Sequence, residues 1–455
     1  MWPFRMVGTT NLSGGTCLLA CQYRKTQHVL SSRSSPISSA NGSREVIVPS
    51  HVGHETTMVS LSGLLILQAV LGTSLGSVIK KRSVAIDDNA DRDALETKKA
   101  EDDTLRLVTV VMRHGERAPQ DTYPNDPYIN DSMAPYGWGQ LTNEGRRNQY
   151  NQGLFLRERY DKFLGKEYSP DVFYLQCTGV DRTKMSAMLE AAALWKPNKG
   201  QAFKPDLPWQ PVTLSYQPRD EDTLMLIWDT CPKYAKLRHA ISELPEVQSV
   251  EQDNKQLFEE LTNHTGMTIS CADDVGSLYG TLRAEDQMKL DLPEWTKHYY
   301  PDKLIPLTLY ELKLNVYNDE LRRLKGGPLL KKITTDMFAK KGDILKPKDR
   351  KMFMFVGHDS SIITLLDVMH VWQDQMPVYN IMVMIELHEN HDGWNVQLYL
   401  RNSTAHEPYP LTIPGCTTSC PLEQFAEILA PMIPDNWKEE CKVEGDYTPP
   451  PAPAP

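Results

Sequence analysis

The sequence predicts an α/β fold, in which a mostly parallel sheet with flanking helices carries an inserted, mainly helical cap. Two apolar runs, Leu105–Met112 and Met352–Val356, have the pattern of strands buried on both faces of a sheet. Both runs end directly in charged residues. We expect those residues at the edge beyond the carboxyl ends of parallel strands, where such sheets bind ligands. The region 233–334 is polar and mostly helical in pattern, which favours a cap.

Capping residues and periodicity place the other elements. Thr142 is a suitable N-cap for a helix that runs to about Leu164, with Glu144 near its first turn. Further along, period-2 and helical patterns alternate. They predict a strand at 172–176, a helix at 181–195, an antiparallel hairpin with strands at 379–388 and 394–401, and a helix at 422–432.

The composition narrows the class of protein. The 455 residues include 49 Lys+Arg and 59 Asp+Glu, which gives a formal net charge of −10. With 40% hydrophobic and 24% charged residues, the chain is of the soluble globular type. An acidic balance with no long basic block argues against nucleic acid as the main partner.

The amino-terminal region predicts export. Residues 1–57 are Ser-rich and hold five basic residues against two acidic ones, which indicates a poorly ordered leader or an over-extended start. Residues 58–77 have a short apolar centre followed by small residues, the pattern of a cleaved secretory signal. The alternative is a signal anchor, because 58–78 is uncharged and Lys80-Lys81-Arg82 follows. In either case the main domain leaves the cytosol.

The remaining boundaries follow from shifts in composition. The C-terminal tail is rich in proline and is expected to bury nothing, and no apolar span follows Cys441. The predicted organisation is a linker at 78–103, an α/β catalytic domain at 104–232 and 335–441, a helical cap at 233–334, and a Pro-rich tail at 442–455.

The segment Arg113-His114-Gly115-Glu116-Arg117 places an imidazole between two guanidiniums at the end of the first strand. Guanidiniums present planar, fixed donors that suit phosphate oxygens. Their charge lowers the proton affinity of the histidine and favours its neutral, nucleophilic form. The glycine permits a tight turn and close approach of a ligand to the backbone. A surface turn is the alternative, but a matching His358-Asp359 follows the second buried strand.

On these residues the chain resembles the histidine acid phosphatases of the prostatic and lysosomal type, within the histidine phosphatase superfamily. The likeness covers most of 104–441 and consists of several motifs in the right order. They are RHGERAP at 113–119, GWGQLTNEG at 137–145, GVDRTKMSA at 179–187, GHD at 357–359, RNSTAHEPYPL at 401–411 and PGCTTSCPLE at 414–423.

The resemblance implies a role for each matching residue. His114 is the nucleophile that accepts the phosphoryl group, and Asp359 is the proton donor to the leaving alcohol. The phosphate-binding residues are Arg113, Arg117, Arg182 and His358. By itself, Arg182 would be interpreted as a helix-surface cation that pairs with Asp181 or Asp222. Glu116, where close relatives often have Asp, is expected to support the site and not to react.

These roles agree with the chemistry of phosphoryl transfer, which depends on positioning and cationic stabilisation. Arginines and a histidine supply both, so we expect no cofactor and no metal. An alkoxide leaves poorly, so Asp359 must be protonated in the working complex, which favours acidic pH. A weak metal alternative, the pair His388 and His391 beside Glu386 and Glu389, lies at the predicted hairpin turn, where polar residues are common.

The resemblance also implies two disulfides, Cys416–Cys420 and Cys231–Cys441, the second of which would tie the C-terminal end to the sheet. The two positions of the family's third bridge fall near Ala284 and Met382, so that bridge is missing.

Two cysteines of the folded region are then left over, Cys177 and Cys271. In an exported protein their even number predicts a bridge from beside Arg182 to the cap. Glycosylation sequons that fit a secretory route lie at Asn130, Asn263 and Asn402, and Asn402 is the strongest candidate because it lies inside a family motif.

The predicted function is a secreted or lysosomal acid phosphatase that hydrolyses small phosphate monoesters through a phosphohistidine. One alternative is an inositol-polyphosphate or lysophospholipid phosphatase of the same superfamily, although the cap lacks an obvious Lys/Arg cluster for a many-phosphate ligand. A phosphoglycerate-mutase type ranks low. Another alternative is a catalytically silent secreted binding protein. The resemblance also allows a homodimer, and no membrane contact is expected for the mature domain.

Overall fold

The computed structural model describes residues 103–445, 447–450 and 452. The predicted leader at 1–57, the signal or anchor at 58–77 and all of the linker before residue 103 lie outside the described residues. Within the described part of the chain, no helix is both long enough and apolar enough to cross a membrane.

The described strands form one mixed sheet in the order β3-β2-β4-β1-β5-β6-β7, and β8 pairs with β6. The central pairs β1–β4, β2–β4 and β2–β3 are parallel, and β5 to β8 are antiparallel to their neighbours. The strands are β1 Leu105–Arg113, β2 Phe173–Cys177, β3 Ser215–Tyr216, β4 Met352–Gly357, β5 Met382–Asn390, β6 Gly393–Arg401, β7 Tyr409–Leu411 and β8 Ser419–Pro421.

The helices cover both faces of this sheet and build the cap. They are α1 Asn143–Leu164, α2 Asp181–Leu194, α3 Pro232–Ile241, α4 Pro245–Asp253, α5 Lys255–Thr265, α6 Ala272–Gln287, α7 Ile305–Leu314, α8 Asp319–Lys341, α9 Asp359–Val368, α10 Leu422–Leu429 and α11 Trp437–Glu440.

Alternation along the central strands explains why both faces are covered. On β4, Met352, Met354 and Val356 join one buried cluster, while Phe353 and Phe355 join the other. The first cluster is completed by α1 and α2, and the second by α8, α9 and α10. Successive side chains of a strand point to opposite faces, so a continuous apolar run requires two apolar layers. The predicted fold class is confirmed.

The helices from α3 to α7 carry two further apolar clusters of their own. Helix α8 contributes to both parts: Leu321 and Leu324 lie in a cap cluster, whereas Ile333 and Met337 lie against the sheet. The boundary predicted at 334/335 therefore falls inside one continuous helix. The other predicted elements agree with the observed ones to within a few residues, including Thr142, whose hydroxyl accepts from the Gly145 amide at 3.1 Å.

Two of the three predicted disulfides are present. Cys231–Cys441 and Cys416–Cys420 are bonded. Cys231 and Cys441 lie in a cap cluster, so their bridge ties the C-terminal end to the base of the cap and not to the sheet.

The predicted Cys177–Cys271 bridge is wrong. Cys177 is a buried thiol at the end of β2, and Cys271 is a buried thiol at the start of α6, where its Sγ donates to Asp274 Oδ2 at 3.4 Å. An even number of cysteines does not show that two of them lie close enough to form a disulfide.

Candidate active site

The register of the two central strands brings the charged motifs together. Arg113, the last residue of β1, lies opposite Gly357, the last residue of β4. The His114 amide donates to the Gly357 carbonyl at 3.0 Å, so the two chains leave the sheet side by side. Parallel strands that end in register place both histidine-containing turns at one edge, as predicted.

The turn after His114 depends on two glycines. A Cβ on Gly115 would lie 2.6 Å from the Gly145 carbonyl oxygen, and one on Gly145 would lie 2.1 Å from the Glu116 oxygen. The tight turn predicted at Gly115 is present, and the side of the glycine where a Cβ would lie is occupied by protein. The backbone at the start of α1 fills it, so the glycine pair locks the turn against the helix.

His114 is 2% exposed and its two ring nitrogens have different partners. Nδ1 lies 2.8 Å from the Gly115 carbonyl oxygen, which can only accept, so Nδ1 carries the proton. Nε2 then holds the lone pair and accepts from Arg182 Nε at 3.0 Å. Burial, followed by the charges of Arg182 and Arg113, holds the pKa of His114 well below its usual value. The ring is therefore a neutral base with its lone pair directed toward the arginines.

The three predicted arginines lie at the same site, and each is less than a tenth exposed. Arg182 lies in the first turn of α2 and reaches the ring, while Asp181 turns outward to Lys184 at 3.7 Å. The surface interpretation of Arg182 is therefore wrong. Burial and the charge of Arg117 lower the pKa of Arg182 to about 9, so it stays cationic in acid.

Asp359 begins α9, and its Oδ2 pairs with Arg113 Nη2 at 2.7 Å. Its other oxygen, Oδ1, accepts from the Ser360 amide at 2.7 Å. Burial acts to raise the pKa of Asp359, but the charges of Arg113 and His358 outweigh it and lower the pKa to about 2. With 34% of its side chain exposed, this carboxyl is more open to the pocket than the arginine that it contacts.

His358 caps α9 and lies edge-on to His114, with ring centroids 5.4 Å apart. Its Nε2 contacts Thr178 Oγ1 at 2.9 Å. Its Nδ1 is buried and has no hydrogen-bond partner among the described residues. Burial and Arg182 lower its pKa well below the usual value, against the opposing effect of Asp359.

Comparison with known proteins decides the family. The sequence pattern of the histidine phosphatase superfamily (branch 2) matches residues 104–397. The chain belongs to the histidine phosphatase superfamily. It is 37% identical to prostatic acid phosphatase of Rattus norvegicus over 343 residues, which covers 74% of this chain and 89% of that protein. It is 33% identical to human lysosomal acid phosphatase, over 75% of this chain and 81% of that protein. The predicted family is confirmed.

A solved structure supports the fold independently. The apo form of Hafnia alvei phytase superposes with a TM-score of 0.54, over 75% of this chain and 98% of that chain, at 16% sequence identity. At that identity the likeness concerns the fold alone.

Sequence reasoning missed a buried polar network behind the site of this histidine phosphatase. The Glu116 carboxylate accepts from Asn148 at 3.1 Å and from Asn380 at 2.9 Å. Gln149 Nε2 donates to the Arg113 carbonyl at 3.1 Å. Glu116 thus holds the strand end from behind, in agreement with its predicted supporting part. The i, i+1 pair of Asn148 and Gln149 on an otherwise ordinary helix gave no sequence signal.

Tyr379 was also missed, although it lies on the cap side of the site. Its ring centroid is 5.6 Å from that of His114, and the Arg113 guanidinium lies over its face at 4.3 Å. Arg113 also donates to the Pro377 carbonyl. A tyrosine just before a strand is too common a feature to point to a site.

A cavity of about 250 Å³ opens between the sheet edge and the cap. Its walls include His114, Asp359, Tyr379 and the α6 residues Gly280 and Arg283. Ala452 of the C-terminal tail also lines it. The expectation that the tail buries nothing needs correction, because Trp228 Nε1 donates to the Pro450 carbonyl at 2.9 Å and Arg219 Nη2 to that of Ala452 at 3.1 Å.

The residues weighed as metal ligands do not line this cavity, and only two of them, Glu386 and His388, are in contact with each other. His388 is buried, with Nε2 3.2 Å from Glu386 Oε2 and Nδ1 2.9 Å from Thr104 Oγ1. His391 is 88% exposed at the hairpin turn beside Asp392. Among the described residues no three His, Cys, Asp or Glu side chains are grouped to hold a metal ion.

Proposed function

We propose that this chain is an acid phosphatase that hydrolyses small phosphate monoesters through a phosphohistidine at His114. The observation that carries the proposal is the orientation of this ring. Nδ1 is fixed by the Gly115 carbonyl, and the lone pair of Nε2 is directed at buried guanidiniums that suit phosphate oxygens. The names of the relatives, prostatic and lysosomal acid phosphatases, support the same activity.

In the first half-reaction the phosphoryl oxygens take donors from Arg113, Arg117 and Arg182. Arg182 Nε gives up its hydrogen bond to His114 Nε2 and donates to a phosphate oxygen instead. The lone pair of Nε2 is then free to attack phosphorus. The bond from Nε2 to phosphorus forms as the bond from phosphorus to the alcohol oxygen breaks. Asp359 gives its proton to that oxygen. His358, whose Nδ1 has no protein partner among the described residues, offers a further hydrogen bond to the transferring group.

In the second half-reaction water attacks the phosphohistidine. The carboxylate of Asp359 takes a proton from the water as its oxygen bonds to phosphorus, and the phosphorus–nitrogen bond breaks. Inorganic phosphate leaves, and His114 is again neutral with Nδ1 on the Gly115 carbonyl.

Acidic conditions follow from Asp359. In the free site Arg113 holds this carboxyl ionised, with a pKa of about 2. A bound phosphate shares Arg113 and adds negative charge nearby, and both effects raise the pKa of Asp359 toward the working range. The donor form is still more populated at lower pH. His114 stays neutral in the same range because its own pKa is depressed.

The pocket charges argue against an inositol polyphosphate as the preferred substrate. Beyond the arginines of the sheet edge, the cavity wall carries as many carboxylates as cations: Asp121, Asp229, Asp273 and Glu311 against Arg219, Arg238, Arg283 and Lys325. This wall therefore offers no net positive charge to the additional phosphates of such a ligand. A silent binding protein is disfavoured because His114, the arginines and Asp359 are all in place.

We infer passage through the secretory pathway, to the extracellular space or the lysosome. Two disulfides support this, since such bonds persist in oxidising compartments. Of the sequons, Asn130 and Asn263 are exposed, while Asn402 is half-buried with its amide 3.3 Å from Gln375 Oε1. Asn130 and Asn263 thus become the better glycan candidates. The homodimer stays a prediction, which light scattering on the purified protein tests.

The test is hydrolysis of p-nitrophenyl phosphate from pH 3 to 9 with EDTA present, beside His114→Ala and the control His391→Ala. We expect an acidic optimum, retained activity in the control and a loss of about a thousandfold or more in His114→Ala, because removing a covalent nucleophile leaves only binding and electrostatics. Trapping of a phosphorylated enzyme in the parent but not in His114→Ala would complete the case. An inactive, folded parent would refute the proposal.

A further inference from the structure

One face of cap helix α6 forms a wall of the cavity next to the phosphate-binding arginines. Gly276, Gly280 and Arg283 recur at helical spacing on that face, and all three line the cavity. A Cβ on Gly280 would lie 3.9 Å from Arg117 Nη2, so the helix backbone passes directly beside this arginine. Gly280 leaves space where an alcohol group of a substrate would lie, whereas a Cβ on Gly276 would lie 3.4 Å from Glu311 Oε2. Arg283 follows Gly280 by one turn.

Arg283 faces the same aromatic ring as the phosphate arginine Arg113. Its guanidinium lies 5.0 Å from the Tyr379 ring centroid, and that of Arg113 lies 4.3 Å from it. Arg283 is half-buried and forms no ion pair with any carboxylate among the described residues. Arg238, the other arginine of the cap helices that lines the cavity, differs, because its Nη2 is neutralised by Asp273 Oδ1 at 3.1 Å.

The charge on Arg283 has no carboxylate within ion-pair distance among the described residues. It repels the nearby Arg113, whose positive form it destabilises. Stacking on Tyr379 gives some attraction, but Arg113 covers the same ring already. A cation held in a cavity beside other cations, with no protein anion for it, is stabilised when a bound anion arrives.

The phosphoryl group does not need this fourth arginine, because Arg113, Arg117 and Arg182 already surround His114. We propose that Arg283 binds a second anionic group, carried by the alcohol part of the substrate, and so selects phosphomonoesters whose leaving alcohol bears a carboxylate or similar anion. This inference rests on the proposed function and names the substrate class of the same site. Arg283 is a specificity residue, and the bond-breaking steps do not use it.

The test compares two substrates of one skeleton, glycerol 3-phosphate and 3-phosphoglycerate, which differ in a neutral hydroxymethyl group against a carboxylate. The whole chain and its Arg283→Gln, Arg283→Lys and Lys325→Gln variants are assayed at the same acidic pH. Lys325→Gln is the matched control, because Lys325 lines the cavity elsewhere, over the Tyr234 ring at 5.3 Å.

In Arg283→Gln we expect kcat/KM for 3-phosphoglycerate to fall about tenfold or more, mostly through KM, since a lost charge-assisted contact to a remote group weakens binding in ground and transition states alike. Glycerol 3-phosphate is expected to change less than about twofold. Arg283→Lys should restore part of the preference, and Lys325→Gln should leave it intact.

Equal losses on both substrates in Arg283→Gln would overturn the inference and show that Arg283 is structural, and an unchanged ratio would overturn it as well. Neither result contradicts the proposed function, which is tested separately by hydrolysis of glycerol 3-phosphate and p-nitrophenyl phosphate by the parent protein. Failure of the parent to hydrolyse any of the three would instead refute the proposed function.

Discussion

The phosphate end of the cavity has an excess of positive charge, whereas the cap end is close to neutral. At the phosphate end, Arg113, Arg117 and Arg182 are buried at the site of a neutral His114, and Asp359 pairs with Arg113 alone. At the cap end, Arg238 is matched by Asp273, and carboxylates such as Glu311 share the wall. Arg283 is a cap cation that, unlike Arg238, has no carboxylate partner among the described residues.

The difference separates chemistry from recognition. Excess positive charge in a buried site stabilises a transferring phosphoryl group whatever alcohol carried it. A nearly neutral cap wall adds little preference of its own, so a cation without a carboxylate partner beside the phosphate-binding arginines has a large effect on which alcohol is accepted. Variants at the phosphate end should therefore change every substrate, and variants at the cap end should change ratios between substrates.

The largest effect is expected for Asp359→Asn. The amide cannot protonate the leaving alkoxide, so kcat/KM for glycerol 3-phosphate, which reports the first half-reaction, should fall by about 10² to 10⁴-fold. The loss of kcat/KM on p-nitrophenyl phosphate should be much smaller, because nitrophenolate leaves without help, whereas kcat falls on both substrates because Asp359 is also the base of the second half-reaction. Values of kcat/KM for the two substrates in parent and variant check this, and equal losses of kcat/KM would show that Asp359 is not the proton donor.

A smaller but more specific effect is expected for Arg182→Gln. Removal of this charge takes away a cause of the lowered His114 pKa, second to burial, so the pKa of His114 must rise. The acid limb of the kcat/KM profile, where His114 becomes protonated, should move to higher pH, and kcat/KM should drop by about a hundredfold from the lost donor. A profile measured from pH 3 to 8 tests both.

The Arg182→Gln result needs a comparison with Lys184→Gln, a variant of a neighbouring helix residue that pairs with Asp181. If the acid limb stays where it is in Arg182→Gln, then His114 is not the group that titrates there.

The smallest effect concerns stability in the cap. Glu285 is fully buried with Asp126 nearby, and burial together with that charge raises its pKa to about 8. Tyr123 and Tyr128 are the other titratable groups that sense its charge. Above the ordinary glutamate value of 4.5, the unfolded chain has lost a proton that the folded protein keeps. Stability from this group is thus complete below about pH 4.5 and falls as the pH rises to about 8.

Glu285→Gln should flatten this dependence, by up to about 1.4 kcal/mol per pH unit, since it removes one linked proton. Urea unfolding of the parent, Glu285→Gln and the exposed control Glu294→Gln at pH 4, 6 and 8 measures it. Activity ratios between substrates should not change. Parallel curves for parent and Glu285→Gln would mean that Glu285 does not hold a proton in the folded protein.

Much of the catalytic side could be predicted from the sequence because it is encoded locally. The apolar run before Arg113 and that before His358 each specify a strand buried on both faces, and two such parallel strands must end at one edge. Thr142 and Asp181 begin helices where their residue types predict. The family motifs then assign the roles of His114 and Asp359, and the register of β1 and β4 is consistent with them.

What tertiary structure alone decided is the set of distances between distant parts of the chain. Cys177 and Cys271 looked like partners by number, yet one lies at the end of β2 and the other at the start of α6. The backbone of Gly145 fills the space next to Gly115, a close approach that the sequence around either glycine did not indicate. Arg283 is one polar residue on a polar helix, and it can take part in substrate recognition only because α6 passes beside Arg117. Local patterns report which face of an element is apolar, whereas a charge acts through space on whatever the fold brings near it.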